Sequence, residues 1–159
     1  MQFILAFIVF VIFLAAIVPR LYKAEIKTHH KQPTRKFGPP YEAEVSASEF
    51  KEMVVNTSKH IPVLVDFYAP WCGPCEDLAP VLSGIAKAYK GSFLLAKVNV
   101  DESHNISYVY GVQAMPTVVL FYKGKELDRF QGVQTGNAVR QFLLNHGITQ
   151  TVVQLKSVK

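Results

Sequence analysis

Cysteine is scarce in this chain: 159 residues hold two, Cys72 and Cys75, three positions apart. That excludes a secreted mini-domain held together by a framework of disulfides. A structural zinc site normally takes four ligands. His29 and His30 would have to complete one from a polar, basic stretch, so no metal is expected. A purely structural Cys72–Cys75 bridge would close too small a loop to stabilise much. Tryptophan occurs once, as Trp71, and there is no internal repeat. The length suits one domain of roughly 100–150 residues with an extension.

Acidic residues are nearly missing from one region. Between Pro19 and Pro40 six basic residues (Arg20, Lys23, Lys27, Lys31, Arg35, Lys36) face a single acid, Glu25. The 11 basic and 11 acidic residues of Tyr41–Lys159 balance, so the net charge of +5 is not a property of the folded part. Its place beside an apolar N-terminus points to a membrane rather than to nucleic acid. Basic residues are in turn absent before Arg20, and Met1–Val18 is apolar apart from Gln2. As a helix that segment would span roughly 27 Å, close to a hydrocarbon core of about 30 Å.

A cleaved signal peptide would need a basic n-region and a small-x-small cleavage site, and Phe13-Leu14-Ala15-Ala16 does not provide the latter. A mitochondrial presequence would be amphipathic and Arg-rich. The expectation is an uncleaved N-terminal apolar anchor helix over residues 1–19, with membrane contact through 1–18. A basic, Pro-rich linker over 20–40 follows, then a folded domain over 41–149 and a tail over 150–159. The basic flank on the C-terminal side places the domain in the cytosol by the positive-inside rule. The same pattern fits a mitochondrial location, in the outer membrane or imported. The sequons Asn56-Thr57-Ser58 and Asn105-Ile106-Ser107 favour a secretory-pathway lumen instead.

The stretch present in full is Val63-Leu-Val-Asp-Phe-Tyr-Ala-Pro-Trp-Cys-Gly-Pro-Cys75. Its first half is β-branched and aromatic, a strand over Ile61–Tyr68, interrupted by Asp66. Its second half leads into a helix with Leu78, Val81, Leu82, Ile85, Ala86 and Tyr89 on one face and Pro80 at a predicted kink. A cysteine at the first turn of a helix meets free backbone N–H groups and the positive end of the dipole, which favour a thiolate. A redox-active dithiol follows.

Upstream, Ser46 and Glu49 fit a capping box before Phe50, Met53 and Val54. Downstream come a strand over Phe93–Val100, a short helical turn from Glu102 carrying Ile106 and Val109, and strands Thr117–Tyr122 and Glu126–Phe130 joined at Lys123-Gly124-Lys125. Thr135 then caps a helix with Val139, Phe142, Leu143 and Ile148 on one face. The order β-α-β-α-β-α-β-β-α, with no residues assigned to the first strand, implies an α/β mixed central sheet flanked by helices on both faces.

These residues resemble the thioredoxin family. The resemblance rests on Val63–Cys75, Leu78-Ala-Pro80, Ala96-Lys-Val-Asn-Val-Asp101, Tyr110-Gly-Val112, Met115-Pro-Thr117, Gly124 and Gly132, in family order between Val45 and Gly147. It implies the thioredoxin fold and a protein disulfide oxidoreductase without cofactor. The partners implied are protein disulfide substrates and a dithiol reductant or a thioredoxin-reductase-like donor; the chain is expected to be a monomer.

The resemblance also assigns roles. Cys72 is the exposed nucleophile, its pKa falling from about 8.5 toward about 7, for which thioredoxin itself is the standard example. Cys75 is the buried resolving thiol. Gly73-Pro74 stiffens the turn and resembles the reducing members. Asp66 relays a proton from Cys75 through water, with Lys97 as its charge partner. A cis bond before Pro116 lets the Met115 backbone pair with an extended substrate segment. Trp71 forms a flat lid, and Gly111 and Gly132 allow close backbone approach or punctuate turns. Glu76 departs from the Lys or Arg common there, and adds negative charge near Cys72. The competing readings are a non-redox binding or chaperone module on the same scaffold, and a lumenal disulfide oxidase or isomerase.

Overall fold

The computed structural model describes residues 41–150. The expected anchor over 1–19 and linker over 20–40, and all but the first residue of the expected tail, lie outside the described residues. Five strands form one sheet: β1 (Glu42–Glu44), β2 (Val63–Tyr68), β3 (Leu94–Asn99), β4 (Thr117–Tyr122) and β5 (Lys125–Gln131). Their spatial order is β1-β3-β2-β4-β5. β3 pairs in parallel with β1 and β2, β4 runs antiparallel to β2, and β5 returns antiparallel beside β4. The sheet is mixed, as the element order implies.

Strand alternation sorts the core into two layers. Val63, Val65 and Phe67 of β2, with Val119 and Phe121 of β4, join Phe50, Met53 and Val54 on one face. Leu64, Leu95, Val118 and Leu120 point the other way, to Leu78, Leu82 and Ile85 of α2 (Gly73–Tyr89) and to Val139 and Leu143 of α4 (Gly136–Asn145). With the buried positions of β2 to β4 nearly continuous, the sheet is covered on both faces.

Helix α1 (Lys51–Asn56) is wound as a π-helix and runs into a 3-10 turn, Thr57–Lys59. At the expected capping box the Ser46 backbone N–H and hydroxyl both donate to Glu49 Oε2, at 3.3 Å and 2.8 Å, and the Glu49 N–H donates to the Ser46 carbonyl at 3.1 Å. Helix α2 continues unbroken through the exposed Pro80. In α3 (His104–Val109) Ile106 packs against the core, whereas Val109 is 71% exposed. A helix of six residues offers the core less than two turns, which is too narrow a face for both. The last hairpin turn is tighter than expected: Lys123 and Gly124 both have positive φ, and Tyr122 pairs directly with Lys125. Two consecutive positive-φ residues give the turn that suits the strand twist.

Thr135 caps α4, its Oγ1 accepting from the Ala138 N–H at 3.2 Å. Thr135→Ala should lower stability by about 1 kcal/mol, read as an earlier urea midpoint with an unchanged slope. An unchanged midpoint would show the cap to be idle.

Candidate active site

The dithiol sits where strand β2 hands over to helix α2. Cys72 is the residue that caps α2: it is in extended conformation, and its Sγ accepts from the Cys75 backbone N–H at 3.2 Å. Pro74 occupies the first turn, where its missing N–H costs nothing. Cys72 and Cys75 are joined by a disulfide, with Cα atoms 5.3 Å apart, inside the normal range for a bridge. The bridged pair therefore lies at the positive end of a 17-residue helix dipole.

The expected contrast in exposure between the two cysteines is absent in this oxidised form. Cys72 is 5% exposed and Cys75 4%, and both belong to the buried cluster that contains Phe67 and Ala69. In a disulfide each sulfur covers one side of the other, which reduces what solvent can reach. Trp71 beside them is 69% exposed, and its indole N–H donates to Asp101 Oδ2 at 2.9 Å. It is a surface residue with its ring fixed, not a core residue. In the sequence Asp101 is only the end of a motif; its link to Trp71, thirty residues away, is a contact that no local pattern reveals.

Asp66 occupies a β2 position whose neighbour two residues back, Leu64, faces α2. Alternation therefore aims its carboxylate at the first turns of that helix. It is 2% exposed, and its Oδ1 has no hydrogen-bond partner. It opens onto a cavity of about 290 Å³ also lined by Glu44, Tyr68, Cys75, Glu76 and Lys97. Burial pushes the Asp66 carboxyl up from its ordinary 3.8 to about 7; Lys97 pulls it down and Glu44 pushes it up. Desolvation wins because the carboxylate has no direct partner to offset it.

Sheet register puts Lys97 beside Asp66 on one flank and beside Glu44 on the other. The expected Asp66–Lys97 pair is thus a pair of neighbours, not a direct ion pair. The carboxylate that Lys97 contacts is Glu42, with Nζ 3.4 Å from Oε2. Glu42 lies in the shallower part of the sheet, where a charged pair keeps some solvent, whereas Asp66 is buried. Glu42 also accepts from the Ser83 hydroxyl of α2 at 2.5 Å, and Glu44 accepts from the Tyr68 hydroxyl at 3.1 Å. Burial and the neighbouring Glu44 push the Tyr68 hydroxyl up to about 12. Sequence reasoning misses both glutamates, because the residues of strand β1 carry no strand signal of their own.

The Met115–Pro116 peptide bond is cis, as expected from the resemblance. Pro116 is buried and Met115 half-buried, with the Pro116 carbonyl accepting from the Gly132 N–H at 2.8 Å. Thr117 Oγ1 donates to the Ala114 carbonyl at 2.6 Å across the same turn. A Cβ on Gly111 or Gly132 would meet nothing within 4 Å, but both have positive φ. Gly111 closes α3, with Val112 N–H bonding to Ser107 and Gly111 N–H to Tyr108. Arg129 of β5 grips Glu126 with two nitrogens and donates a further bond to the Tyr110 carbonyl at 2.9 Å. Among the described residues no cluster of side chains could hold a metal ion.

The thioredoxin family model matches residues 42–145. Thioredoxin 1 of Nostoc sp. is 40% identical over 104 residues, 65% of this chain and 95% of its own. The M-type chloroplastic thioredoxin of Chlamydomonas reinhardtii is 44% identical over 88 residues, 55% of this chain and 61% of its own. A solved structure of a single-substitution mutant thioredoxin from Halobacterium salinarum superposes with a TM-score of 0.60 at 34% identity, covering 68% of this chain and 92% of that one.

Proposed function

This chain belongs to the thioredoxin family, and from that premise we propose that its thiol–disulfide oxidoreductase activity runs in the reducing direction, on protein disulfides, beside a membrane. The single observation that carries the chemistry is the Cys72–Cys75 disulfide at the N-terminus of α2, above a buried carboxyl without a partner. In each cycle the Cys72 thiolate attacks one sulfur of a substrate disulfide. That bond breaks, the other substrate sulfur leaves with the electron pair and takes a proton, and a mixed disulfide forms. Cys75 then gives its proton to Asp66 through water in the cavity and attacks Cys72 Sγ. The second substrate thiolate departs, and the two electrons have passed from the dithiol to the substrate. A dithiol donor of the thioredoxin-reductase kind restores the reduced pair.

A carboxyl near pH 7 is suited to this relay, since it both accepts and returns a proton at neutral pH. Lys97 tunes it from the neighbouring strand. Met115 and Pro116 offer the backbone edge on which an extended substrate segment pairs, and Gly132 and Trp71 flank it; Gly73-Pro74 favours the reducing direction. Glu76 lines the same cavity as Cys75 and makes the rim acidic, which disfavours acidic partners.

The tether is Met1–Val18, with the basic flank holding the domain on the cytosolic side. Among the described residues no helix is long and apolar enough to cross a membrane, and the anchor lies outside them. Protease added to intact membranes should digest a C-terminal tag without permeabilisation, with no glycan shift on the same gel. A protected tag with glycans at Asn56 or Asn105 would overturn the cytosolic reductase and favour a lumenal oxidase or isomerase.

A further inference from the structure

Strand β1 brings two carboxylates to this side of the sheet: Glu44 lines the cavity, and Glu42 contacts Lys97, which lines it too. Glu42 and Glu44 point to the same side of β1, the side on which Lys97 and Asp66 lie in register. Glu42 is held from two directions. The Ser83 hydroxyl, two turns beyond Cys75 on α2, donates to its Oε2, and Lys97 Nζ lies 3.4 Å from the same oxygen. The one cation lining the cavity among the described residues is thus engaged at the rim, on an oxygen of β1.

We propose that Glu42, fixed by Ser83, is a positioning residue that draws Lys97 away from Asp66 and leaves that buried carboxyl without a partner. The proposal deepens the relay assigned to Asp66 and rests on it. The groups that face Asp66 make the competition explicit. β3 supplies Lys97, β1 supplies Glu44 and, behind it, Glu42, β2 supplies Tyr68, and α2 supplies Cys75 and Glu76. β4 supplies only Val118, which is apolar. Lys97 is the single positive charge of this set, so its position decides how much of the burial penalty on Asp66 is offset. Bound to Glu42, it lowers the Asp66 carboxyl without overcoming the burial that raises it.

The consequence is a site whose proton affinity is set from a strand that carries neither cysteine. Freed from Glu42, Lys97 still has Asp66 and Glu44 beside it in register, one on each flanking strand. A direct Lys97–Asp66 contact would favour the charged carboxylate. The relay would then hold its proton only at lower pH.

The test is a double-mutant cycle read on the Asp66 carboxyl by carbon NMR titration of the oxidised protein, with Asp66→Asn used to assign the signal. Glu42→Gln should lower the Asp66 midpoint by about one pH unit. In a Lys97→Met background the same substitution should move it by less than about a third of that. An equal shift in both backgrounds would mean that Glu42 acts only as a distant charge, and no shift would mean that it does not act; either overturns the proposal. Ser83→Ala keeps every charge and should lower the midpoint in the same direction, by less, which keeps the test open should Glu42→Gln fold poorly. The rate of mixed-disulfide resolution against pH separates the two claims. A midpoint that moves while the rate profile stays in place upholds the control by Glu42 and overturns the relay.

Discussion

Cys72→Ser is expected to abolish turnover of protein disulfides, by on the order of 10³-fold or more, because a neutral hydroxyl cannot replace a thiolate as the attacking atom. Folding should survive, since serine is close in size and the Cys72 Sγ bond from the Cys75 N–H can pass to a hydroxyl oxygen, a favoured helix cap. Cys75→Ser should behave differently: attack still occurs, resolution fails, and a substrate accumulates as a mixed disulfide on Cys72. Non-reducing gels and a disulfide-reduction assay read both. Substantial turnover by the Cys72 variant would remove the nucleophile assignment, and a phenotype rescued in full by the double Cys→Ser variant would favour a binding module without redox turnover.

Asp66→Asn should reshape the pH dependence of stability. The folded-state pKa of about 7 lies above the ordinary 3.8. The native state therefore holds a proton that the unfolded chain has released between about pH 4 and pH 7. Stability falls as pH rises through that window, and is level below and above it. The loss amounts to on the order of 4 kcal/mol at alkaline pH for a group this deeply buried. An asparagine in its place cannot ionise, so the variant should lack this slope and be more stable than the wild type at about pH 8 by a similar amount. Chemical unfolding from about pH 4 to about pH 9 measures it, and parallel curves for the two proteins would contradict the burial argument. The same variant should slow resolution of the mixed disulfide on the order of 10²-fold at neutral pH. Greater stability with a slower cycle is the signature of a functional charge kept at the expense of the fold.

Much of this was legible in the sequence because chemistry interrupts pattern. Asp66 stands out in a strand of Val, Leu and Phe; Cys72 and Cys75 have no other cysteine to pair with; Lys123-Gly124 separates two apolar runs. The central strands and the α2 stripe follow from periodicities of about 2 and 3.6 that one linear window contains. Strand β1 was not legible, since Glu42-Ala43-Glu44 has no apolar alternation and exists as a strand only by pairing with β3, some fifty residues later. With β1 missing, Glu42 is not found as the contact of Lys97, and the resemblance alone supplies Asp66 as its charge partner. Val109 looked apolar enough for the core, but nothing in the sequence says that α3 stops at the next residue. The exposure of Cys72 depends on oxidation state, which a sequence does not carry.

Strand β1 is also the least secured part of the sheet. It has three residues and, among the described residues, lies at the sheet edge and pairs with β3 alone. Short edge segments open locally at a small fraction of the free energy of global unfolding. Each such opening would carry Glu42 and Glu44 away from Lys97 together, while Asp66 lies on the central strand β2 and Cys72 and Cys75 at the start of α2. On the proposal above, the proton affinity of Asp66 would be an average over closed and frayed β1, and hydrogen exchange at the amides of Glu42–Glu44 would report how often that setting changes.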